Sequence, residues 1–277
     1  MGMRELNLKH QRLRQEIGRF DSALVAYSGG VDSSLVAYVT ATELGPKALA
    51  VTSGSASLKR SDLNLAKQLA EQWRMPHRVI VTNELSNPDY RANPTNRCFY
   101  CKTTLYAAMQ EIAQTEGFAA IFNGTNCDDL GDHRPGLIAA NDFAVHSPLV
   151  AAGFNKADVR ALAARLGLDN AEKPQSACLS SRFPYGTPID EGKLAQVEQA
   201  EAVLERFGFR QCRVRHHDDV ARLELLVDEF DLAIQNREAI ERDIMACGYR
   251  FVALDLSGFQ SGSLNRGVVK ILDPKAN

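Results

Sequence analysis

No apolar run in this chain approaches the length of a membrane span, so a helical membrane protein is excluded. Charge of either sign is not in excess: 32 Lys and Arg against 34 Asp and Glu leave a net charge of −2. Nucleic acid is therefore not expected as the main partner. The segment Met1-Gly2-Met3-Arg4-Glu5-Leu6 lacks the apolar core of a secretory leader. Leu6 also stands where an N-terminal acylation signal wants Ser or Thr. Internal repeats and low-complexity tracts are missing. Six cysteines in 277 residues are too few for a disulfide framework in a chain of this size and suit reduced thiols, hence a cytoplasmic location.

The nucleotide-loop motifs with the widest currency are missing too: there is no Walker A lysine and no dinucleotide glycine spacing. What stands in their place is Ser28-Gly29-Gly30-Val31-Asp32-Ser33-Ser34, between the apolar run Ala23-Leu24-Val25-Ala26 and the helical pattern Leu35-Val36-Ala37-Tyr38-Val39. This reads as strand, tight loop, helix. Glycines admit a sharp turn and close approach of the backbone to an anion. The loop amides and the helix N-terminus then face one small volume, a phosphate site. Ser28, Ser33 and Ser34 add hydroxyls, and Asp32 an acceptor for Mg²⁺ or a ribose hydroxyl. The segment resembles the pyrophosphate loop of the PP-loop ATP pyrophosphatases, which implies ATP cleaved to AMP and pyrophosphate through an adenylated intermediate.

Further strands are expected at 48–52, 77–81 and 119–122, alternating with helices. One of these helices runs to Trp73 with Ser61 as its N-cap, one starts near Asn96, and one follows Asn155. Alternation of this kind predicts an α/β fold with a doubly wound parallel sheet, its ligands outside the strand C-termini. Residues 1–170 form the expected first domain. Residues 171–277 form a smaller α+β domain: a helix over 194–207, a hairpin around His217-Asp218-Asp219, a helix over 230–247, a strand over 251–256 and a mobile tail from Ser257. Trp73 is expected in the core.

Three further stretches carry candidate chemistry. The polar loop from Asn123 to Gly136 offers Gly124, Asn126 and Asp128 to ATP, Mg²⁺ or pyrophosphate. Cys98-Phe99-Tyr100-Cys101, near a helix start, is open between zinc, a redox dithiol and an iron–sulfur cluster. Cys178 lies in Cys178-Leu179-Ser180-Ser181-Arg182-Phe183-Pro184-Tyr185-Gly186; with Cys98 and Cys101 it makes three thiolates for a [4Fe-4S] cubane, which normally takes four, leaving one iron open. Arg213 and Arg215, two apart on a strand, share a face.

Taken together, these segments resemble the LarE family, ATP-dependent sulfur transferases that build the nickel-pincer nucleotide cofactor of lactate racemase. The resemblance runs from about Arg19 to Gly262. It implies adenylation of the carboxylates of pyridinium-3,5-biscarboxylic acid mononucleotide and their conversion to thiocarboxylates, with ATP and Mg²⁺. In some members the cysteine of the Ser-Ser-Arg segment gives up its own sulfur. In others a Cys-x-x-Cys accompanies it and a three-cysteine [4Fe-4S] cluster is used with an external sulfur donor; Cys98 and Cys101 put this chain with the second group. The resemblance further implies Arg182 beside the adenylate, Arg213 and Arg215 on a nucleotide phosphate, a metal site at Glu201 and Glu224, with Asp231, and homo-oligomers built as a trimer of dimers. By themselves the two arginines read as exposed edge residues and the two glutamates as surface charges. His216 and His217 read as hairpin residues, and Cys127, Cys212 and Cys247 as incidental. A tRNA-thiolating PP-loop enzyme and an ammonia-using ligase are the alternatives: the first wants a basic face, the second no cysteines.

Overall fold

The computed structural model describes residues 3–131, 135–174 and 176–265. The chain divides into two compact units, one of residues 1–90 and 95–176, the other of 91–94 and 177–277.

The first unit is a four-stranded parallel sheet in the order β3-β2-β1-β4, with β1 Ala23–Ala26, β2 Ala48–Ser53, β3 His77–Ile80 and β4 Ala120–Phe122. Its helices are α1 Met3–Ile17, α2 Val31–Leu44, α3 Arg60–Gln72, α4 Pro88–Arg91 (its last residue in the other unit), α5 Arg97–Glu116, α6 Pro135–Asp142, α7 Pro148–Ala151 and α8 Lys156–Arg165. All four residues of β1 are buried because helices cover both faces. Alternation along the strand divides them: Val25 packs with Leu13, Ile17, Leu35 and Val159, whereas Leu24 and Ala26 pack with Tyr106, Met109 and Ile121. The order of the strands reverses between β1 and β4. A ligand crevice belongs there, outside their C-terminal ends.

The second unit holds α9 Glu191–Arg206, a sheet of β5 Cys212–His217, β6 Val220–Leu225 and β7 Phe251–Leu254, and the helices α10 Phe230–Gln235 and α11 Arg237–Met245. β5 and β6 form the expected hairpin, with Asp218 at φ +50 in its turn, a conformation that Asp tolerates. β7 joins β6 in parallel through the two helices.

Several local expectations need correction. Lys59, not Ser61, is the N-cap of α3 and has no side-chain cap bond; its carbonyl accepts from Leu63 N–H, which puts Ser61 inside the first turn. The helix expected over 230–247 breaks at Asn236, which ends α10 and caps α11. The segment from Ser257 to Asn265 is tied down: Phe259 N–H donates to Leu225 O, and Ser263 Oγ donates to Glu224. The rest of that tail, residues 266–277, lies outside the described residues, as do Asp132, His133 and Arg134 of the polar loop and Gln175. Trp73 is only partly buried; it packs edge-on to Tyr38 and donates its indole N–H to Asp169. The long connection after β3 lends Arg91–Pro94 to the second unit, where Gly186 and Ile189 N–H donate to Asn93 O and Arg91 O.

Candidate functional site

The Ser28–Gly30 loop leaves β1 at the reversal point and enters α2. Gly29 sits at φ +72, where its absent Cβ would lie 3.2 Å from Ala66 Cβ. Ser33 folds back over the loop: its Oγ donates to Gly30 O at 3.0 Å and accepts from Ser28 N–H at 3.2 Å. Gly30 is the N-cap of α2 without a side-chain cap, so the first turn of α2 turns the positive end of the helix dipole toward the loop. Thr52 donates to Tyr27 O at 2.7 Å and, its one proton spent, accepts from His77 Nε2–H at 2.8 Å. Burial, then the charge of Lys67, lowers the His77 pKa, which keeps the imidazole neutral.

The loop after β4 is cross-linked by its own side chains. Asn123 Oδ1 accepts from Thr125 N–H at 3.0 Å, Asn126 Oδ1 from Asp128 N–H at 2.9 Å, and Asp129 Oδ2 from Asn126 N–H at 3.0 Å. Gly124 lies against the start of α2, and Asn126 Nδ2 donates to Asp32 Oδ1 at 3.0 Å. The structure therefore brings Ser28, Gly29, Gly30, Asp32, Ser33, Gly124 and Asn126 to one place. Asp128 accepts the backbone N–H of Lys156 at 2.9 Å. Ser34 is fully buried and pairs with Asn170.

Three residues here escape a reading of the sequence. Asn170, 4 % exposed, donates to Gly29 O at 2.9 Å and Ser34 Oγ at 2.8 Å, pinning the loop from below. Asp62 holds Lys173 at 2.7 Å and Ser176 at 2.6 Å. Lys156 Nζ is ion-paired to Asp32 Oδ2. The N-cap at Asn155 is legible and forms a full capping box with Asp158. Nothing in the sequence says that the next side chain reaches back 124 residues to Asp32.

Cys98 and Cys101 lie at the start of α5, one turn apart, Cys98 exposed and Cys101 half-buried. Among the described residues no three His, Cys, Asp or Glu side chains are gathered as a metal site.

In the second unit the arginines and glutamates are interior residues, not edge or surface charges. Arg213, Arg215, Glu201 and Glu224 are all at most 7 % exposed. Arg182 and Glu201 form a two-pronged pair, Nε–Oε1 2.8 Å and Nη2–Oε2 3.1 Å. Burial opposes the charge on Arg182, but Glu201, with Cys178 and Cys212, outweighs it and the pKa is raised. Arg182 Nη1 also donates to Ala177 O at 2.7 Å and Cys178 O at 3.1 Å, so this guanidinium holds the half-buried Cys178 in place from within. Arg215 is committed to Glu224 at 2.9 Å, to Ser263 Oγ and to Ser181 O. Glu224 also faces Arg222 at 3.3 Å.

Arg213 differs from both. Among the described residues it has no carboxylate partner, and it stacks over Phe259 at 4.5 Å. Its pKa is pushed down to about 10, by burial first and then by Arg182 and Arg215. A guanidinium under such strain of like charge is stabilised by an incoming anion. His216 is buried, with Nδ1 3.1 Å from Tyr249 Oη.

Comparison with known proteins gives this geometry a context. The asparagine synthase family model matches residues 22–115, which run from the start of β1 to the last turn of α5. An uncharacterised protein of Synechocystis is 43% identical over 96% of this chain and 100% of its own length. Pyridinium-3,5-bisthiocarboxylic acid mononucleotide synthase of Lactiplantibacillus plantarum is 37% identical over 89% of this chain and 90% of its own. A tRNA-specific 2-thiouridylase of Caulobacter vibrioides is 26% identical over 69% of this chain and 61% of its own. No described helix is long and apolar enough to cross a membrane. The parallel sheet, the Ser-Gly-Gly loop at its reversal point and the near full-length kinship lead to one conclusion: the chain belongs to the LarE family of ATP-dependent sulfurtransferases, within the PP-loop ATP pyrophosphatase superfamily.

Proposed function

We propose that this chain converts the carboxylates of pyridinium-3,5-biscarboxylic acid mononucleotide to thiocarboxylates, for the nickel-pincer nucleotide cofactor of lactate racemase. The observation that carries this reading is the 37% identity, over 89% of the chain, to the synthase named for that product. A carboxylate is a poor electrophile, so it is first activated. One of its oxygens attacks the α-phosphorus of ATP, and the bond from that phosphorus to the pyrophosphate oxygen breaks. The α2 N-terminus and the hydroxyls of Ser28 and Ser33 receive the departing pyrophosphate, and Asp32 holds the Mg²⁺ that travels with the nucleotide. Sulfide then adds to the acyl carbon as its bond to the carrier breaks, the bond to AMP oxygen breaks, and the thiocarboxylate remains.

Arg213 is the phosphate contact for the substrate mononucleotide. Arg213→Lys should raise the KM for the mononucleotide about 10-fold or more and change kcat little, because a bidentate, stacked guanidinium is not replaced by an ammonium. An unchanged KM sinks this assignment.

The donor chemistry of Cys98, Cys101 and Cys178 fits a [4Fe-4S] cluster: three soft thiols, two of them one helical turn apart with surface exposed. These residues would hold it; when bound, it supplies an iron without a protein ligand, able to carry sulfide. Anaerobic purification should give about four irons and four acid-labile sulfides per chain, and each single Cys→Ala change should abolish them. Protein that stays colourless after reconstitution, with Cys178 lighter by one H₂S after turnover, selects the sacrificial mechanism in its place. Thiouridine appearing on tRNA while the mononucleotide is untouched overturns the substrate assignment altogether.

A further inference from the structure

Two of the three arginines gathered in the second unit are held by carboxylates: Arg182 by Glu201 and Arg215 by Glu224. Arg213 is held differently. It is 7% exposed, and its guanidinium carbon lies over the Phe259 ring, 4.5 Å from the centroid. A carboxylate would fix such a side chain but would also consume its N–H donors. An aromatic face attracts the cation and leaves those donors to a ligand.

The segment that carries the ring is fixed at several points beyond β7. Asp255 N–H donates to Leu223 O at 2.9 Å, and its carboxylate is ion-paired to Arg222. Asp255 in turn accepts the N–H of Ser257 at 2.8 Å and of Gly258 at 3.0 Å. Gly258 sits at φ +68, where a Cβ would lie 2.8 Å from Val227 Cγ2 and 3.0 Å from Leu225 O. Only a glycine passes this close to the end of β6. Phe259 N–H then donates to Leu225 O at 2.6 Å. Four residues further on, Ser263 Oγ accepts from Arg215 Nη2 at 2.8 Å and donates to Glu224 Oε1 at 3.2 Å. One strap thus locks Arg215 by a hydrogen bond and supports Arg213 by a ring.

We propose that Phe259 is a positioning residue for the substrate phosphate: its ring holds the Arg213 guanidinium ready while keeping the N–H donors available to the pyridinium mononucleotide. This rests on the reading of Arg213 as the phosphate contact. Ordering an arginine side chain costs rotamer entropy, which the ring meets before the ligand arrives. The ring also eases the repulsion from Arg182 and Arg215 without neutralising the charge, so the attraction for a phosphate persists.

The test compares wild type, Phe259→Leu, Phe259→Tyr, Arg213→Met and the double variant Phe259→Leu/Arg213→Met. Each is assayed for pyrophosphate release with the mononucleotide and with the corresponding nucleoside, which lacks the phosphate. Phe259→Leu should raise the KM for the mononucleotide about 5- to 10-fold with kcat within about 2-fold, and Phe259→Tyr should restore it. The KM for the nucleoside should move less than about 2-fold. In the Arg213→Met background, Phe259→Leu should add less than about 2-fold, because a residue that acts through Arg213 has nothing left to position. A merely structural phenylalanine would affect both substrates alike and add its full effect in that background.

An unchanged KM in Phe259→Leu, with Arg213→Met raising it about 10-fold or more, overturns the role of Phe259 and leaves the phosphate contact standing. An unchanged KM in Arg213→Met overturns both. If wild type releases no pyrophosphate with the mononucleotide, the substrate reading fails and calorimetry with ribose 5-phosphate decides on Phe259. Weaker binding by Phe259→Leu, with no further loss in the double variant relative to Arg213→Met, supports the role; binding equal to wild type ends it.

Discussion

Gly124→Ala should lower ATP-dependent pyrophosphate release about 100-fold or more, out of proportion to the single methyl group that it adds. A Cβ at this position would stand 2.6 Å from Ser33 N, 2.9 Å from Ser33 Cα and 3.0 Å from the carbonyl carbon of Asp32. These are backbone atoms of the first turn of α2, which cannot rotate aside as a side chain would. Either the β4 loop retreats or the helix start shifts. In both cases Asn126 moves away from Asp32 and the loop amides lose their common aim. The same overpacking costs the fold about 1–3 kcal/mol, a modest fall in melting temperature. The expected signature is therefore a large loss of activity in a protein that still folds, read by pyrophosphate assay, calorimetry with ATP·Mg²⁺ and thermal melting together. An alanine variant with kcat and ATP affinity within about 3-fold of wild type would show that the two elements tolerate separation. Gly29→Ala adds a second cost, since its backbone is at φ +72 as well as close to Ala66. It should be no better than Gly124→Ala.

How far the sequence alone discloses the fold and the site follows the range of each interaction. The Ser-Gly-Gly loop can be read because its signal is local: a buried strand, two glycines and a helix start lie within a dozen residues. The capping box at Asn155 is readable for the same reason. The misplaced cap at Ser61 is also a local matter, since Ser is the commoner cap and only the observed extended backbone at Lys59 decides between neighbours. The break at Asn236 interrupts a pattern that is helical on both sides. Tertiary partners are different. Period-2 spacing puts Arg213 and Arg215 on one face, but does not say that Glu224 and Ser263 claim Arg215 and leave Arg213 over Phe259. Lys156 and Asn170 reach the ATP loop from 124 and 141 residues away, with no mark on the residue itself. Isolated Glu and Arg residues are surface charges in most folds; burial of Glu201 follows from its pairing with Arg182, and burial of Arg215 and Glu224 from their pairing across β5 and β6.

Of these pairings, Arg182 with Glu201 separates stability from positioning. The Arg182 side chain is 5% exposed and that of Glu201 is fully buried. Glu201→Gln leaves a buried guanidinium without its counter-charge, so unfolding by urea should show a loss of about 3–5 kcal/mol. Glu201 also accepts from Val214 N–H at 3.1 Å, a bond that Gln can keep through its carbonyl oxygen, whereas its amide N–H₂ would face the Arg182 Nη2 donor, so the loss reports the counter-charge together with that one acceptor. Arg182→Met should cost a similar amount, for the complementary reason of a stranded carboxylate. The double variant Arg182→Met/Glu201→Leu removes both charges and should recover most of the stability, as buried pairs replaced by apolar groups commonly do. Sulfur transfer should not recover with it. Arg182 is also the donor to the carbonyls of Ala177 and Cys178, and a methionine cannot hold that turn. A stable double variant that releases pyrophosphate but forms little thiocarboxylate would assign Arg182 to the placement of Cys178. Full recovery of both would reduce the pair to packing, and a Glu201→Gln cost under about 1 kcal/mol would mean that water reaches a pair the structure buries.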